Sequence, residues 1–229
     1  MDRHFELTDK FIINAFGAKL FQIKCTRKIK YADIGDLGGY IEKENNLSGD
    51  AWVSGNAQVS GDAWVSGNAR VFSYARVFGN AQVFGDAQVF GNAQVSGDAW
   101  VFGDAQVFGD AQVSGDAWVS GDVQVSGNAQ VSGDARVSGY ARVFGYARVF
   151  GDARVPNDNE HCGFDCFGSA NRHTHSYKTK SGKIEITCGC FRGSIEEFEK
   201  QIKETHRGNE FERQYMAIVE VIKIKFGLK

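Results

Sequence analysis

Apolar and polar positions alternate with a period of two within a unit that itself repeats every six residues. From Gly49 to Pro156 the chain is a run of eighteen hexapeptides, nearly all of the form Gly-[Asp/Asn]-Ala-x-Val-[Ser/Phe]. Val fills its slot in all eighteen units, and Ala fills its slot in seventeen, with Val123 in the other. Alternate residues of a strand point to opposite faces, so the two near-invariant slots predict the inner face of short strands.

The repeat length predicts the architecture. A six-residue period with small and aliphatic residues in fixed slots is typical of a parallel β-helix, and Gly followed by Asp or Asn suits its tight corners. One hexapeptide on each of three sides makes an 18-residue coil, so the array predicts six coils and a prism roughly 29 Å long at ~4.8 Å per coil. The predicted fold class is therefore an all-β solenoid.

Both ends of such a solenoid need caps, because each coil buries its apolar side chains only against neighbouring coils. Residues 1–48 are predicted to form an N-terminal β cap and a first coil, and residues 49–156 the β-helix. Residues 157–172 are predicted to be a linker to a C-terminal domain, residues 173–229. In that domain a hairpin precedes two helices, the first opened by the capping box Ser194-Ile195-Glu196-Glu197, so we expect a small ββαα unit.

Aromatic residues in the outward slots concentrate on two adjacent faces when the coils are aligned with a period of 18. The residues concerned are Phe72, Phe84, Phe90, Phe102, Phe108, Trp100 and Trp118. Aromatic ladders stabilise a β-helix by themselves, at roughly 0.2–1 kcal/mol per stacked pair. Contiguous aromatics on two faces nevertheless exceed the apolar patch of roughly a few hundred Å² that a monomer tolerates. We therefore favour a surface that binds a partner or a second copy of the chain.

The last two coils carry a cluster of arginine and tyrosine that we name the Arg-Tyr collar. Its members are Arg136, Tyr140, Arg142, Tyr146, Arg148 and Arg154. Guanidinium groups and tyrosine rings suit either docking of the C-terminal segment or a second binding surface for an anionic partner. Docking is the plainer of the two interpretations.

The C-terminal segment also contains side chains of the types that ligate zinc. They are Cys162, Cys166, His173, His175, Cys188 and Cys190. Their spacing differs from that of the familiar C-x2-C knuckles. Cys188 and Cys190 share one predicted strand face with Ile184 and Ile186, which indicates free thiols packed in a core. A structural zinc ion stays open as the alternative, and no other cofactor is expected.

Composition and charge narrow the possible partners and the cellular location of the protein. The formal net charge is −2, and no segment has the basic excess that binding to nucleic-acid phosphates requires, so we expect no direct nucleic-acid binding. Neither an apolar run of about 18 residues nor a signal-peptide pattern is found, which predicts a cytoplasmic protein without membrane contact. Five cysteines, an odd number, fit reduced thiols better than a disulfide framework.

The array resembles the hexapeptide-repeat superfamily of left-handed parallel β-helices, typified by trimeric bacterial acyltransferases. Motifs outside the array resemble a family of phage and prophage hexapeptide-repeat proteins: Glu6-Leu7-Thr8-Asp9, Gly35–Glu42, Asn46-Leu47-Ser48, Gly168–Arg172 and Cys188-Gly189-Cys190-Phe191. The first resemblance implies a left-handed helix and side-by-side trimers. The second implies the cytoplasm of a bacterial host and carries no established activity.

The array lacks the residues on which catalysis in that superfamily depends. Its acyltransferases use a histidine near a cleft between neighbouring β-helices, whereas residues 49–156 contain no His, Cys or Lys and no insertion. We therefore predict no catalytic residues and a non-enzymatic scaffold of the phage type, which binds or sequesters a host component, with anti-defence as one specific form. An acyltransferase and a self-assembling structural protein are the alternatives.

Overall fold

The computed structural model describes residues 3–170 and 172–228, with residue 158 described by its backbone alone. Asn171, which belongs to one of the motifs above, lies outside the described residues, as do Met1, Asp2 and Lys229 at the ends of the predicted domains.

The N-terminal segment is a β cap that continues directly into the solenoid. Strands β1 (Phe5–Ile13) and β2 (Lys19–Cys25) form an antiparallel hairpin, and β2 pairs with β3 (Leu37–Ile41). β3 then pairs in parallel with the second hexapeptide strand, matching Tyr40 with Gln58. A 3-10 helix (Glu44–Asn46) completes this first coil.

Eighteen short strands form the three sides of the β-helix. The first face contains β4 (Trp52–Val53), β7 (Arg70–Val71), β10 (Gln88–Val89), β13 (Gln106–Val107), β16 (Gln124–Val125) and β19 (Arg142–Val143). The second contains β5 (Gln58–Val59), β8 (Arg76–Val77), β11 (Gln94–Val95), β14 (Gln112–Val113), β17 (Gln130–Val131) and β20 (Arg148–Val149). The third contains β6 (Trp64–Val65), β9 (Gln82–Val83), β12 (Trp100–Phe102), β15 (Trp118–Ser120), β18 (Arg136–Val137) and β21 (Arg154–Val155).

Each strand pairs in parallel with the strand 18 residues away, which confirms the predicted parallel β-helix of about six coils. The backbone N–H of Trp100, for example, donates to the carbonyl oxygen of Ala117 at 2.9 Å. All eighteen Val of the inner slot are fully buried, and the Ala slot is buried throughout. The core is thus two stacked columns of small aliphatic side chains on each side.

The C-terminal domain is an antiparallel sheet followed by two helices. The sheet contains β22 (His161–Phe167), β23 (Arg172–Lys178), β24 (Ile184–Cys188) and β25 (Phe191–Gly193), and the helices are α1 (Ile195–His206) and α2 (Glu210–Phe226). The capping box at Ser194 and Glu197 is present, as predicted. The ββαα unit is therefore correct for the helices and the central hairpin, and the sheet has one more strand on each side.

The interpretation of residues 157–172 as a linker is wrong, because this segment contains a 3-10 helix (Asp158–Glu160) and β22. The sequence of β22 carries no β-branched residue and includes Gly163 and Asp165, which are depleted in strands, so only its two Phe favour a strand. Antiparallel pairing with β23, which matches His161 with Tyr177 and Phe167 with Arg172, makes it a strand. The absence of a side chain at Gly163 leaves room for the ring of His173.

The sheet of the C-terminal domain lies between the helices and the last coil. On one side, Ile186 and Cys188 pack with Phe198 and Ile222 of the helices. On the other, the Tyr177 hydroxyl accepts a hydrogen bond from the backbone N–H of Phe150 at 3.4 Å. This sheet covers the open end of the last coil and so acts as its cap.

Candidate binding surfaces

The aromatic residues of the two faces form stacked ladders. Phe72, Phe90 and Phe108 stack with centroid distances of 4.8 and 4.9 Å and nearly parallel rings. On the neighbouring face Phe84 stacks on Phe102 at a centroid distance of 4.9 Å, and Trp100 stacks on Trp118 at 5.0 Å. The two stacked pairs contact each other edge to face.

Stacking covers the faces of these rings and leaves their edges at the surface. All seven side chains are half-buried. Guanidinium groups lie over terminal rings as well, with Arg70 4.7 Å from Phe72 and Arg136 4.7 Å from Trp118. The ladders therefore stabilise the coils, and the contact that they offer to a partner is a ridge of ring edges.

Removal of the central ring of one ladder tests this structural role. We expect Phe90→Ser to lower the free energy of unfolding by about 1–3 kcal/mol, because the substitution removes two stacked contacts worth about 0.5–1.5 kcal/mol each. Urea unfolding followed by circular dichroism measures the change.

The same slot offers a matched control. Phe144 occupies it two coils after Phe108, with Ser126 between them, so Phe144 has no ladder neighbour. Phe144→Ser should change stability by at most about 0.5 kcal/mol, as exposed substitutions do. Equal losses in the two variants would contradict a stabilising role for the ladder.

The arginines of the Arg-Tyr collar make contacts within the chain. Arg154 donates to the carbonyl oxygen of Asp134 at 2.9 Å, and Arg136 covers Trp118. Arg148 donates to the carbonyl oxygen of Gly189 at 3.2 Å and so contacts the C-terminal domain. Part of the collar thus participates in docking that domain.

The tyrosines of the collar point to solvent. Tyr140 is 74% exposed and Tyr146 64%, and Phe144 between them is 58% exposed. None of the three stacks on another ring within the described part of the chain. We name Tyr140, Phe144 and Tyr146 the exposed aromatic cluster.

Sequence reasoning did not select Phe144, although a signal was present. The outward slot one coil earlier holds Ser126, so no ring is available to cover Phe144. An aromatic ring is therefore exposed where the neighbouring coil has no aromatic residue in the same slot. Within a ladder, the rings cover one another.

The candidate zinc ligands are divided between the two sides of the C-terminal sheet. Cys162 and Cys188 pack on the helix side, whereas His175 faces the last coil, where its Nδ1 lies 3.1 Å from the carbonyl oxygen of Arg148. Over residues 3–170 and 172–228, no group of three or more His, Cys, Asp and Glu could hold a metal ion. The six residues do not form one site.

The two terminal cysteines of the set have different surroundings. Cys188 is buried, in agreement with the core interpretation, and Cys190 is exposed. Cys190 follows Gly189 in the turn between β24 and β25. The alternation of β24 does not extend to it, so the prediction that Cys190 packs in the core is wrong.

Three histidines lie where the sheet meets the last coil. Nδ1 of His161 lies 3.0 Å from Nε2 of His175, and Nδ1 of His173 lies 2.6 Å from a carboxylate oxygen of Asp165. Complete burial, followed by the nearby His161, lowers the pKa of His175 to about 3. His175 is therefore neutral at physiological pH, and the cap interface depends on that neutral state.

The register, the buried Ala and Val columns and the two caps define a repeat β-helix protein. A family model described as the YdcK beta solenoid repeat matches residues 57–72, 87–103, 105–121, 111–127 and 129–145, so the chain is similar to that repeat over much of its array. No curated protein matches the chain. Among the residues that the structure describes, no helix is both long enough and apolar enough to span a membrane.

Proposed function

We propose that this protein is a non-enzymatic binding scaffold that engages a protein partner through the exposed aromatic cluster and the collar arginines beside it. The observation that carries the proposal is the exposure of three large aromatic side chains along the first face of the last coil, with Tyr140 at the corner before β19 and Phe144 and Tyr146 beyond its far end. Tyrosine and arginine are the residue types that dominate the energetic centres of protein interfaces.

The chemistry of this edge indicates the partner. Arg142 lies on the same face as Phe144, between the corners that carry Tyr140 and Tyr146, so a positive charge accompanies the aromatic side chains there. A partner that presents carboxylates around an apolar side chain would complement both features.

The resemblance to phage and prophage proteins supports the finer form of the proposal. It points to a component of a bacterial host as the partner and to the host cytoplasm as the location, with sequestration of an anti-phage defence protein as one specific role. The ridges of ring edges on the two ladder faces are the surfaces that we assign to self-association. A side-by-side trimer is the form that the superfamily resemblance favours.

Affinity capture from a bacterial lysate, read by mass spectrometry, tests the proposal. The wild-type chain is compared with Tyr140→Ser/Phe144→Ser/Tyr146→Ser, and we expect a stoichiometric host protein to be lost in the triple variant. The variant should remain folded, because the three rings are exposed.

Tyr74 supplies the matched control. It is 62% exposed and occupies the same corner as Tyr146 four coils earlier. Tyr74→Ser should retain the partner. Capture of the chain by itself alone, or equal capture by the wild type and the triple variant, would reject the assigned surface. Light scattering on the same samples measures the oligomeric state separately.

A further inference from the structure

A cleft opens beside Trp64 at the N-terminal end of the β-helix. Its volume is about 900 Å³, and it is lined by the 3-10 helix of the first coil and by the corners Gly49-Asp50 and Gly67-Asn68. Small-molecule sites in proteins occupy about 300–1,000 Å³, so the cleft has the size of a ligand site.

The first coil creates this cleft by turning a side chain inward. The position 18 residues before Trp64 is Asn46, whose amide donates to the carbonyl oxygens of Gly61 at 3.0 Å and Ala63 at 2.8 Å. Asn46 is therefore buried, and no outward side chain at that position lies against Trp64.

Trp64 is held in place and open to solvent at the same time. Its indole N–H donates to the Ser48 hydroxyl at 2.8 Å, and the side chain is 41% exposed. The next residue in its column is Gln82, and within residues 3–170 and 172–228 no aromatic ring stacks on Trp64. Unlike Trp100 and Trp118, this indole offers a fixed and accessible platform.

The charged groups of the cleft are paired with one another. Arg3 contacts Glu44 at 2.6 Å, and Arg27 contacts Asp50 at 2.7 Å. The rim is therefore neutral overall. A guanidinium has five N–H donors and a carboxylate about four acceptor positions, so both pairs keep hydrogen-bonding capacity for a ligand. Asn68 adds a further planar amide.

We propose that this cleft binds a neutral oligosaccharide, with one sugar ring stacked on Trp64. A pyranose presents a face of C–H groups to an aromatic platform and a rim of hydroxyls to planar side chains such as Asn, Asp and Arg. A ligand with net charge would have to compete with the existing pairs, which favours a neutral one. The volume accommodates about two or three sugar rings, within the range of ligand sites in general.

Isothermal titration calorimetry of the full chain with maltotriose, cellotriose and chitotriose tests the proposal. We expect at least one of them to bind, and Trp64→Ala to weaken that binding by about tenfold or more, the scale of one lost aromatic contact. Trp64→Phe should retain most of the affinity. Tyr74→Ala, which removes an exposed aromatic side chain outside the cleft, should leave it unchanged.

The outcomes that would overturn the proposal are distinct. They are the absence of binding for all three trisaccharides, equal affinity in the wild type and Trp64→Ala, and displacement of the bound sugar by glucuronate or ATP at equal concentration. Because Trp64→Ala also loses the hydrogen bond to Ser48 and part of its packing, thermal unfolding of each variant establishes that it is folded at the temperature of the titration, and a loss of binding by the folded variant reports on the cleft.

Discussion

Substituting Gly103 by Ala should destabilise the β-helix more than any conservative change on its surface. Gly103 has φ +72°, and a Cβ at this position would lie 2.9 Å from the backbone nitrogen of Gly121 in the next coil. The left-handed conformation costs an alanine about 1–2 kcal/mol, and crowding against a fixed backbone adds about 1–3 kcal/mol. We expect a total loss of about 2–5 kcal/mol in urea unfolding.

The reverse substitution is available within the same array. Ser73 is the one corner residue of the eighteen hexapeptides that is not glycine, and its φ is +64°. Ser73→Gly should raise the free energy of unfolding by up to about 1 kcal/mol, because relief of the left-handed strain outweighs the entropy that glycine loses. An unchanged stability for Gly103→Ala, or a destabilised Ser73→Gly, would contradict this account of the corners.

Acidification from pH 7.5 to pH 5 should cost the protein about 2 kcal/mol of stability through His175 alone. Burial lowers the pKa of His175 from 6.5 to about 3 in the folded state. The unfolded chain therefore binds a proton that the folded chain does not, and the stabilisation is complete above about pH 6.5 and declines as the pH falls toward 3. Equilibrium unfolding in urea at the two pH values measures the loss.

His175→Gln isolates the contribution of this side chain. The groups around His175 are His161, His173, Tyr177 and the carbonyl oxygen of Arg148, and all remain in the variant. The variant should be less stable at pH 7.5 and lose clearly less stability on acidification than the wild type. The same pH dependence in both proteins would show that another group is responsible.

His4 provides an internal comparison at the opposite end. Burial lowers its pKa as well, and its Nε2 lies 2.9 Å from the carbonyl oxygen of Ala51. His4 titrates in wild type and His175→Gln alike, so it cancels from the difference between them. The difference therefore reports on the C-terminal cap interface.

Short-range periodicity was sufficient to predict the β-helix. Each hexapeptide carries its own inner slots and its own corner, so any parallel register that is a multiple of six stacks Val on Val, and the three-sided coil selects 18 residues. The second helix was likewise predictable, because Tyr215, Ile218, Val219 and Ile222 recur at helical spacing and are all buried.

To predict how far the outer aromatic residues are buried, one must know which slots are neighbours and how the rings in them are oriented. The columns identified the ladders, but not that stacking would cover the ring faces of Phe90 and Trp100 while Phe144 stays exposed. The exposure of a side chain depends on the residues that occupy the same slot in the neighbouring coils, so the residue type alone does not decide it.

By itself, the sequence determined the β-helix, its six coils, its inner columns and its two C-terminal helices, because these depend on local alternation and on a repeat that pairs with itself. Only the tertiary structure decided the strand at residues 161–167, the histidine interface against the last coil and the cleft beside Trp64. Those features arise where non-repeating segments contact the ends of the array. No periodic signal records such contacts, and their geometry depends on which side chains meet after folding.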